Sequence, residues 1–397
     1  MPRKTINVFM IILMVFSLAG CTKPRQPDPV DPTPADTAAA MDIVDRDGNL
    51  LGQIPADATC TAIDGGIFYS LSHRESNYST TSKTDYYCFL QETKQIHHVA
   101  TIANQSYETT FCRSELDGKI YTLVLEGNPS DNEPDVLELL VIDKSSMQSA
   151  TYTVSEHGFP YAYLTAADGK ILIMNHEMTE PKHDVIYEFV PEQAKAIARK
   201  TFDADTDSLR AVCGYQDGLC LFNFHPDGSS DQKISLDFYD TDYSLIKSQP
   251  FSRAAIDSIV ENIVFTDRQD AVNELSMYVS HFSISDEGYL LYENFGMVRL
   301  AYNIQTDEVI LIKNDTYSVS FGSGKPVLYR VIYEDDFRPE IIEITNGDPV
   351  LHTFSPADSI HRMLWSLSHS PSGTWLATMY DSFPLSTASV QLLLWSD

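Results

Sequence analysis

The chain has 397 residues, of which 56 are Asp or Glu and 27 are Lys or Arg, and its formal net charge is -29. Apolar residues make up 43% of it, which is enough for a sizeable core and excludes a disordered acidic protein. The excess of carboxylates excludes a general nucleic-acid binder, because such a surface repels phosphate backbones. The length exceeds that of one ordinary domain, although all-β folds often form one unit of more than about 200 residues.

The first twenty residues have the pattern of an export signal. Arg3 and Lys4 form a positive end, and an apolar run from 8 to 19 is broken only by Ser17. That run is too short to span a bilayer but suits the core of a signal peptide. It leads directly into Leu18-Ala19-Gly20-Cys21, which resembles the lipobox of bacterial lipoproteins. The resemblance implies cleavage before Cys21 and a lipid on that residue. The residues alone also allow a plain secretory signal or a short membrane anchor.

A spacer follows the signal. Residues 22–34 contain five prolines and almost no large apolar side chain, and Ala-rich residues continue to Ala40. Such a composition favours an extended, unpacked chain. We therefore expect a lipoprotein signal peptide at 1–20, a Pro/Ala-rich spacer at 21–40 and a folded domain at 41–397. Removal of the two basic residues of the signal leaves a net charge of -31 (25 minus 56), which anionic lipids repel, so a tether suits this protein better than adsorption.

A turn signal recurs through the folded region, and its glycines are separated by 53, 51, 49, 70, 36 and 49 residues. Asp-Gly and related pairs supply the positive φ angles that tight hairpins need. An apolar run follows each turn, and most units contain a second apolar run about twenty residues later. Each unit therefore holds about four short antiparallel strands, as β-propeller blades do. The seven signals are Asp64-Gly65, Asp117-Gly118, Asp168-Gly169, Asp217-Gly218, Asp286-Glu287-Gly288, Gly322-Ser323-Gly324 and Ser372-Gly373.

One unit carries a more specific pattern. Residues 367–377, which read LSHSPSGTWLA, resemble the strand–turn–strand of WD40-like periplasmic propellers, with Ser372 in place of the usual Asp. At superfamily level the chain resembles bacterial propeller lipoproteins over residues 42–397. This resemblance and the repeat predict an all-β fold, a seven-bladed β-propeller of four-stranded antiparallel blades. A β-sandwich or a two-domain arrangement is the alternative.

The last repeat lacks an outer strand, because the sequence stops at Asp397 after the apolar run 390–395. We expect the segment 41–54 to supply the fourth strand of this blade and to close the ring, which removes a free sheet edge. In a variant of this closure, residues 43–48 form a strand and turn of their own. A small helical insertion is expected near 252–277, because apolar residues recur there at helical spacing after Ser252, an N-cap residue.

Few residues suggest a catalytic or metal-binding role. None of the eleven His has metal-ligand spacing, and no Gly-x-Ser-x-Gly motif is present. His281 and His369 are candidates only because a propeller brings inner strands together around an axial channel. Residues 45–49 and 203–207 place carboxylates two apart, as calcium loops do, without the Glu of an EF-hand. We predict no catalytic residue, no metal site and no cofactor, and the one modified residue is Cys21.

Five further Cys follow Cys21. Cys213 and Cys220 flank the Asp217-Gly218 turn, but if that pair forms the loop, Cys220 faces Tyr215 and a disulfide is disfavoured. Buried thiols are therefore expected. The three Trp, at 365, 375 and 395, lie in the final repeat, where we expect a blade core rather than a sugar platform.

The leading interpretation is a lipoprotein of the bacterial cell envelope, anchored to a membrane through a lipid on Cys21 and facing outside the cytoplasm. Its propeller binds a protein, peptide or glycan ligand and no nucleic acid, and we expect a monomer. The first alternative is an enzyme of the lyase, lactonase or glycosidase type with its site in the axial funnel. The second alternative is an assembly scaffold. A fold of this kind does not by itself fix the function.

Overall fold

The computed structural model describes residues 40–396 apart from 46, 75–81, 108–112, 128–134, 161, 178–179, 206–207, 227, 229–232, 263–266, 278, 286, 295–298, 312–315, 322–325, 334–338, 344–349, 354–362, 371–372 and 381–389. Beyond residue 309, side chains are described only at 368, 370, 373–379 and 390–396. The predicted signal, Cys21 and the spacer as far as residue 39 lie outside the described residues.

Strands dominate the part of the chain that the structure describes. In chain order the elements are β1 (Ala40–Val44), β2 (Leu50–Pro55), β3 (Thr59–Ile63), β4 (Gly66–Arg74), β5 (Ser82–Leu90), β6 (Gln95–Tyr107), β7 (Arg113–Leu116), β8 (Lys119–Glu126), β9 (Val136–Asp143), β10 (Gln148–Ser155), β11 (Tyr163–Ala167), β12 (Lys170–Glu177), β13 (His183–Val190), a 3-10 turn (Pro191–Gln193), β14 (Lys195–Asp203), β15 (Ser208–Tyr215), β16 (Gly218–Phe224), β17 (Ile234–Tyr239), β18 (Leu245–Pro250), α1 (Arg253–Asn262), α2 (Arg268–Leu275), β19 (Val279–Ile284), β20 (Tyr289–Asn294), β21 (Arg299–Asn303), β22 (Val309–Leu311), β23 (Thr316–Phe321), β24 (Pro326–Tyr333), β25 (Pro339–Glu343), β26 (Val350–Thr353), β27 (Met363–His369), β28 (Thr374–Tyr380) and β29 (Val390–Ser396).

The strands form consecutive antiparallel blades, which confirms the predicted β-propeller. Blades 3 to 6 are β11–β14, β15–β18, β19–β22 and β23–β26, each in sequence order, and the inner strands β7, β11, β15 and β19 contact one another in succession. Blade 1 is β3–β6, blade 2 is β7–β10, and blade 7 is built on β27–β29. β27 contacts both β23 and β3, so the last blade lies beside the first. Among the described residues this arrangement gives seven blades, and it excludes the sandwich and two-domain alternatives.

The N-terminal strand closes the ring. β1 pairs in parallel with β29, with Ile43 opposite Leu392, and supplies the fourth strand of blade 7. The chain then turns at residues 45–49, and β2 pairs with β1 as a fifth strand. The predicted closure is therefore confirmed, and residues 43–48 do form a strand end and turn. The residues 50–54 lie at the outer edge, not against β29.

Blades 1 and 2 share one sheet, which the repeat did not predict. β7 has only four residues and covers only part of β8. The end of β6 leaves blade 1 and pairs with the uncovered part of β8, with Gln105 opposite Glu126. This pairing provides hydrogen-bond partners for backbone groups of β8 that the short inner strand β7 leaves unpaired.

The core lies between the blades, because the strand faces pack against neighbouring sheets. One apolar cluster joins blades 3, 4 and 5, and others join blade 2 to blade 3, blade 1 to blade 2, and blade 7 to blade 1. All six residues of β17 are buried. Trp375 and Trp395 are buried and stacked with ring centroids 5.8 Å apart, which confirms the predicted core role for these two. The side chain of Trp365 lies outside the described residues.

The predicted helical insertion is present and consists of two helices. Ser252 caps α1, because its Oγ accepts the Ala255 N–H at 3.2 Å, and Asp267 caps α2 by accepting the Asp270 N–H at 3.0 Å. The two helices form the connection between β18 and β19, so they join blade 4 to blade 5. Among the described residues, no helix is long and apolar enough to cross a membrane.

Candidate functional site

The two faces of the ring differ in the length of their connections. The strands of a blade alternate in direction. The turns between the first and second strands therefore lie on one face of the ring, and the connections between blades lie on the other face, together with the hairpins between the second and third strands. We call the first the turn face; it carries two-residue loops such as Asp117-Gly118, Asp168-Gly169 and Gln216-Asp217. We call the second the loop face; it carries 156–162, 204–207, 225–233 and 251–278. The longer segments, including both helices, are therefore gathered on the loop face, where binding residues concentrate in other folds.

Buried polar side chains at the loop-face end of blade 3 hold the connections on both sides. Asn175 accepts the Phe159 N–H at 3.1 Å and donates to the His157 carbonyl at 2.8 Å, which fixes the segment 156–162. Asp184 accepts the Leu209 N–H at 2.6 Å, which fixes the start of the inner strand of blade 4. His176 lies beside Asp184, with Nδ1 2.5 Å from Oδ1. These groups make the loop face rigid next to blades 3 and 4.

Buried polar side chains also hold the helices, by hydrogen bonds to their backbone. Tyr292 donates to the Leu275 carbonyl at 2.6 Å, and Asn294 donates to the Glu274 carbonyl at 2.8 Å, so two side chains of β20 bind the last turn of α2. Burial raises the pKa of Tyr292, so the hydroxyl remains a donor. Carbonyl groups at a helix C-terminus lack intrahelical partners, and these bonds satisfy them.

A third buried network lies at the loop-face end of blade 4. The carboxylate of Asp237 accepts from Asn223 at 2.5 Å, from Ser248 at 2.5 Å and from Ser235 at 3.0 Å. His225 extends this network, because its Nε2 lies 2.8 Å from Ser235 Oγ. Three donors compensate the cost of burying this charge. The arrangement is that of a structural clamp rather than of an open site.

A pair of buried hydrogen bonds joins the inner strands of the non-adjacent blades 3 and 5. The Tyr163 hydroxyl, on the inner strand of blade 3, donates to the Phe282 carbonyl at 3.2 Å and accepts its N–H at 3.0 Å. Phe282 belongs to the inner strand of blade 5, and both residues lie in the apolar cluster that joins blades 3, 4 and 5.

His281 and Ser283 lie together on the inner strand of blade 5. They are two residues apart and share one side of β19, and His281 Nε2 lies 2.9 Å from Ser283 Oγ. Glu293 is opposite His281 in the strand register. Desolvation lowers the pKa of His281 to about 4, although its side chain is solvent-accessible. His281 lies on the inner strand of blade 5, and its position in an axial channel stays a prediction; the side chain of His369 lies outside the described residues.

A polar cluster on blade 1 surrounds Asp85. Thr101 donates to Asp85 Oδ1 at 2.5 Å, and Lys83 and His73 lie 3.4 and 3.2 Å from Oδ2. Desolvation raises the pKa of Asp85, but the hydrogen bonds from Thr101 and Lys83 outweigh it, so the pKa lies below its ordinary value. Among the described residues, no group of three or more His, Cys, Asp or Glu is arranged to hold a metal ion.

The two segments whose carboxylate spacing resembles that of calcium loops use these carboxylates in local hydrogen bonds. Asp45 Oδ1 accepts the N–H groups of Asp47 and Asn49 at 2.9 and 2.8 Å, and Asn49 Nδ2 donates to Oδ2 at 2.9 Å. Asp203 accepts the Asp205 N–H at 3.0 Å, and residues 206–207 lie outside the described part. The Asp45 contacts are those of an Asx turn that closes the β1–β2 hairpin.

Sequence reasoning did not identify Asn175, His176, Asp184 or Asp237. The signal that points to them is a polar residue at the loop-face end of an otherwise buried apolar strand. The prediction for Cys220 was wrong. The hairpin loop is Gln216-Asp217, with Gln216 at φ 52°, so Cys220 lies opposite Cys213 and not opposite Tyr215.

No protein-family model and no curated protein matches the sequence. Solved propeller structures are similar to it at low identity. The β-propeller domain of the Trilobed protease from Pyrococcus furiosus has 13% identity over 85% of this chain and 95% of that chain, with a TM-score of 0.48. A putative 6-phosphogluconolactonase from Bacteroides fragilis has 13% identity over 84% of this chain and 99% of that chain, with a TM-score of 0.42.

The Pyrococcus horikoshii acylaminoacyl peptidase has 10% identity over 85% of this chain, with a TM-score of 0.49, and the chain spans 50% of its length. No activity is transferred from these proteins at this level of similarity. By strand order and pairing, the chain is an all-β propeller whose terminal strands meet in one closing sheet.

Proposed function

We propose that this protein is a membrane-anchored extracytoplasmic lipoprotein whose loop face binds a protein, peptide or glycan. The observation that carries the binding proposal is the asymmetry of the two faces. Connections of 7 residues (156–162) and 28 residues (251–278) lie on the loop face, against connections of two to six residues on the turn face. Asn175, Tyr292 and Asn294 hold these connections in place. A surface organised in advance loses little conformational entropy on binding.

The anchoring proposal rests on the sequence of residues 1–40. Mass spectrometry of the protein from its own cells is expected to find a lipid-modified N-terminus at Cys21. Cys21→Ser is expected to remove the lipid and release the protein from the membrane fraction. An unmodified Cys21 in a protein with an intact N-terminal segment would contradict the anchor.

Two matched charge-reversal variants test the binding face. Glu156→Arg with Glu261→Arg changes exposed positions of the loop face, and Glu92→Arg with Asp217→Arg makes the same charge change on the turn face. The mature chain with Cys21→Ser would be applied to peptide and glycan arrays. We expect binding to one class, weakened at least about tenfold by the loop-face pair and unchanged by the turn-face pair. Equal effects of the two pairs, or no binding to either class, would contradict the proposal.

The enzyme alternative has one observation in its favour, the 2.9 Å contact between His281 Nε2 and Ser283 Oγ, which is within the range of a nucleophile and its base. A general base is most effective with a pKa near the working pH, and the pKa of His281 is lowered to about 4, so this alternative is the weaker one. A fluorophosphonate probe tests it. Labelling that Ser283→Ala abolishes and Ser235→Ala preserves would replace the binding proposal with a hydrolase.

A further inference from the structure

Two cysteines face each other on the first hairpin of blade 4. In the pairing of β15 with β16, Cys213 is directly opposite Cys220, and Gln216-Asp217 closes the hairpin. Directly opposed residues of antiparallel strands have Cα atoms about 4.5–5.5 Å apart. Disulfides span Cα distances of about 4.4–6.8 Å. The backbone therefore already has a separation that a disulfide can bridge.

The two cysteine side chains are also buried in the same part of the core. Both residues are buried, with exposed fractions of 3% for Cys213 and 0% for Cys220, and burial together with the neighbouring Cys213 thiol raises the pKa of Cys220. Both belong to the apolar cluster that joins blades 3, 4 and 5. The strand register therefore already brings the two cysteines together.

The cysteines of blade 1 provide a contrast within the same protein. Cys60 packs with the cluster between blades 7 and 1, and Cys88 belongs to the cluster between blades 1 and 2. They therefore lie on opposite faces of one sheet and cannot pair. Cys60 and Cys88 serve as internal references for thiols that stay reduced.

We propose that Cys213 and Cys220 form a cross-strand disulfide when the chain folds in a compartment that supplies a disulfide oxidant. One thiolate attacks a sulfur of the oxidant disulfide, forms a mixed disulfide and releases one thiol. The second cysteine loses its proton and attacks the mixed disulfide, which forms the Cys213–Cys220 bond and releases the second thiol. The two cysteines lose two electrons and two protons, and the oxidant disulfide becomes two thiols.

The burial of both cysteines determines the stage of folding at which the disulfide can form. In the packed blade neither sulfur is accessible to a second molecule, so the exchange must precede the packing of blade 4 against blade 5. A chain that folds in a reducing compartment then keeps both thiols, and an oxidised chain resists reduction until it unfolds. The presence of the bond in cells rests on the proposed export, whereas its formation during folding does not.

Refolding of the purified chain tests the chemistry without reference to location. The mature chain with Cys21→Ser would be unfolded, reduced and refolded in oxidised and reduced glutathione, then alkylated in denaturant. Trypsin releases both cysteines in one peptide, residues 211–233, because Arg210 and Lys233 are its nearest cleavage sites. We expect this peptide unalkylated and about 2 Da lighter than its reduced form, with Cys60 and Cys88 alkylated. Two alkyl groups on peptide 211–233, or glutathione on either cysteine, would overturn the proposal.

Two further measurements complete the test. The oxidised protein is expected to melt about 3 °C higher than the reduced protein, and this difference should be absent in Cys213→Ala with Cys220→Ala. The same peptide from protein made in its own cells is expected in the oxidised form. Oxidation on refolding combined with free thiols in the cellular protein would contradict export and leave the disulfide standing.

Discussion

Replacement of Ile43 by Ala tests whether the N-terminal strand holds the ring closed. Ile43 has an exposed fraction of 0%, lies opposite Leu392 in the closing sheet, and belongs to the cluster between blades 7 and 1. The change removes three carbons, each worth about 0.8 kcal/mol of burial, and leaves a cavity that adds to the cost. We expect a loss of about 3–4 kcal/mol. For a folded domain of roughly 357 residues this corresponds to a fall in melting temperature of about 4–5 °C.

Calorimetry of the mature chain carrying Cys21→Ser measures this effect. Leu50→Ala is the matched control, because Leu50 lies on the outermost strand of the same sheet and is 55% exposed, so its replacement is expected to change the melting temperature by less than about 1 °C. Equal melting temperatures of Ile43→Ala and Leu50→Ala would refute the reasoning, because they would mean that β1 does not support the folded ring.

Three further predictions concern single residues. Asp184→Asn is expected to lower the free energy of chemical unfolding by about 2–4 kcal/mol, because the buried amide replaces the carboxylate that binds His176 and the Leu209 N–H. An unchanged unfolding midpoint would show that these contacts of Asp184 are dispensable. Gly218→Ala is expected to cost at least about 2 kcal/mol in the same assay, because the new Cβ would lie 2.1 Å from the Tyr239 carbonyl oxygen; normal stability would contradict the described packing. Hydrogen bonds from Ser145 and then Ser146 lower the pKa of Asp143 from 3.8 to about 2. Because this pKa is lowered in the folded state, its stabilising effect is present above pH 3.8 and is lost as the pH falls through about 2. Carboxyl NMR titration measures this pKa, and an ordinary value would contradict the assigned contacts.

Local turn chemistry made most of the fold predictable. Asp117-Gly118 and Asp168-Gly169 form two-residue loops in which both residues have positive φ, as the sequence pattern indicated. The fourth signal was displaced by one position. Gly218 is needed there for the close approach of the Tyr239 carbonyl and not for a positive φ, and Gln216 adopts the left-handed conformation instead. The Asp-Gly pattern thus reflects a positive φ in some turns and a close backbone approach in another. Only the contact between Gly218 and Tyr239 distinguishes the two cases.

Long-range pairing explains what the sequence did not reveal. The crossing of β6 onto β8 depends on the short length of β7, which is visible only when the register is known. The closure by residues 41–54 was predicted from the missing outer strand of the last repeat, and the structure adds its parallel register with β29. Asp184 and Leu209 meet because blade 3 packs against blade 4, and linear spacing contains no sign of it. His281 was a candidate from the sequence because inner strands of a propeller meet near its axis, and the structure places it on β19, the inner strand of blade 5.

Photocrosslinking in intact cells tests the central claim most directly. A photoreactive residue would replace Glu156 on the loop face or Asp217 on the turn face, both of which are exposed. If a tethered propeller binds its ligand through the loop face, residue 156 is expected to yield a discrete crosslinked product and residue 217 none. Products of equal yield from both positions, or a product from residue 217 alone, would contradict the account.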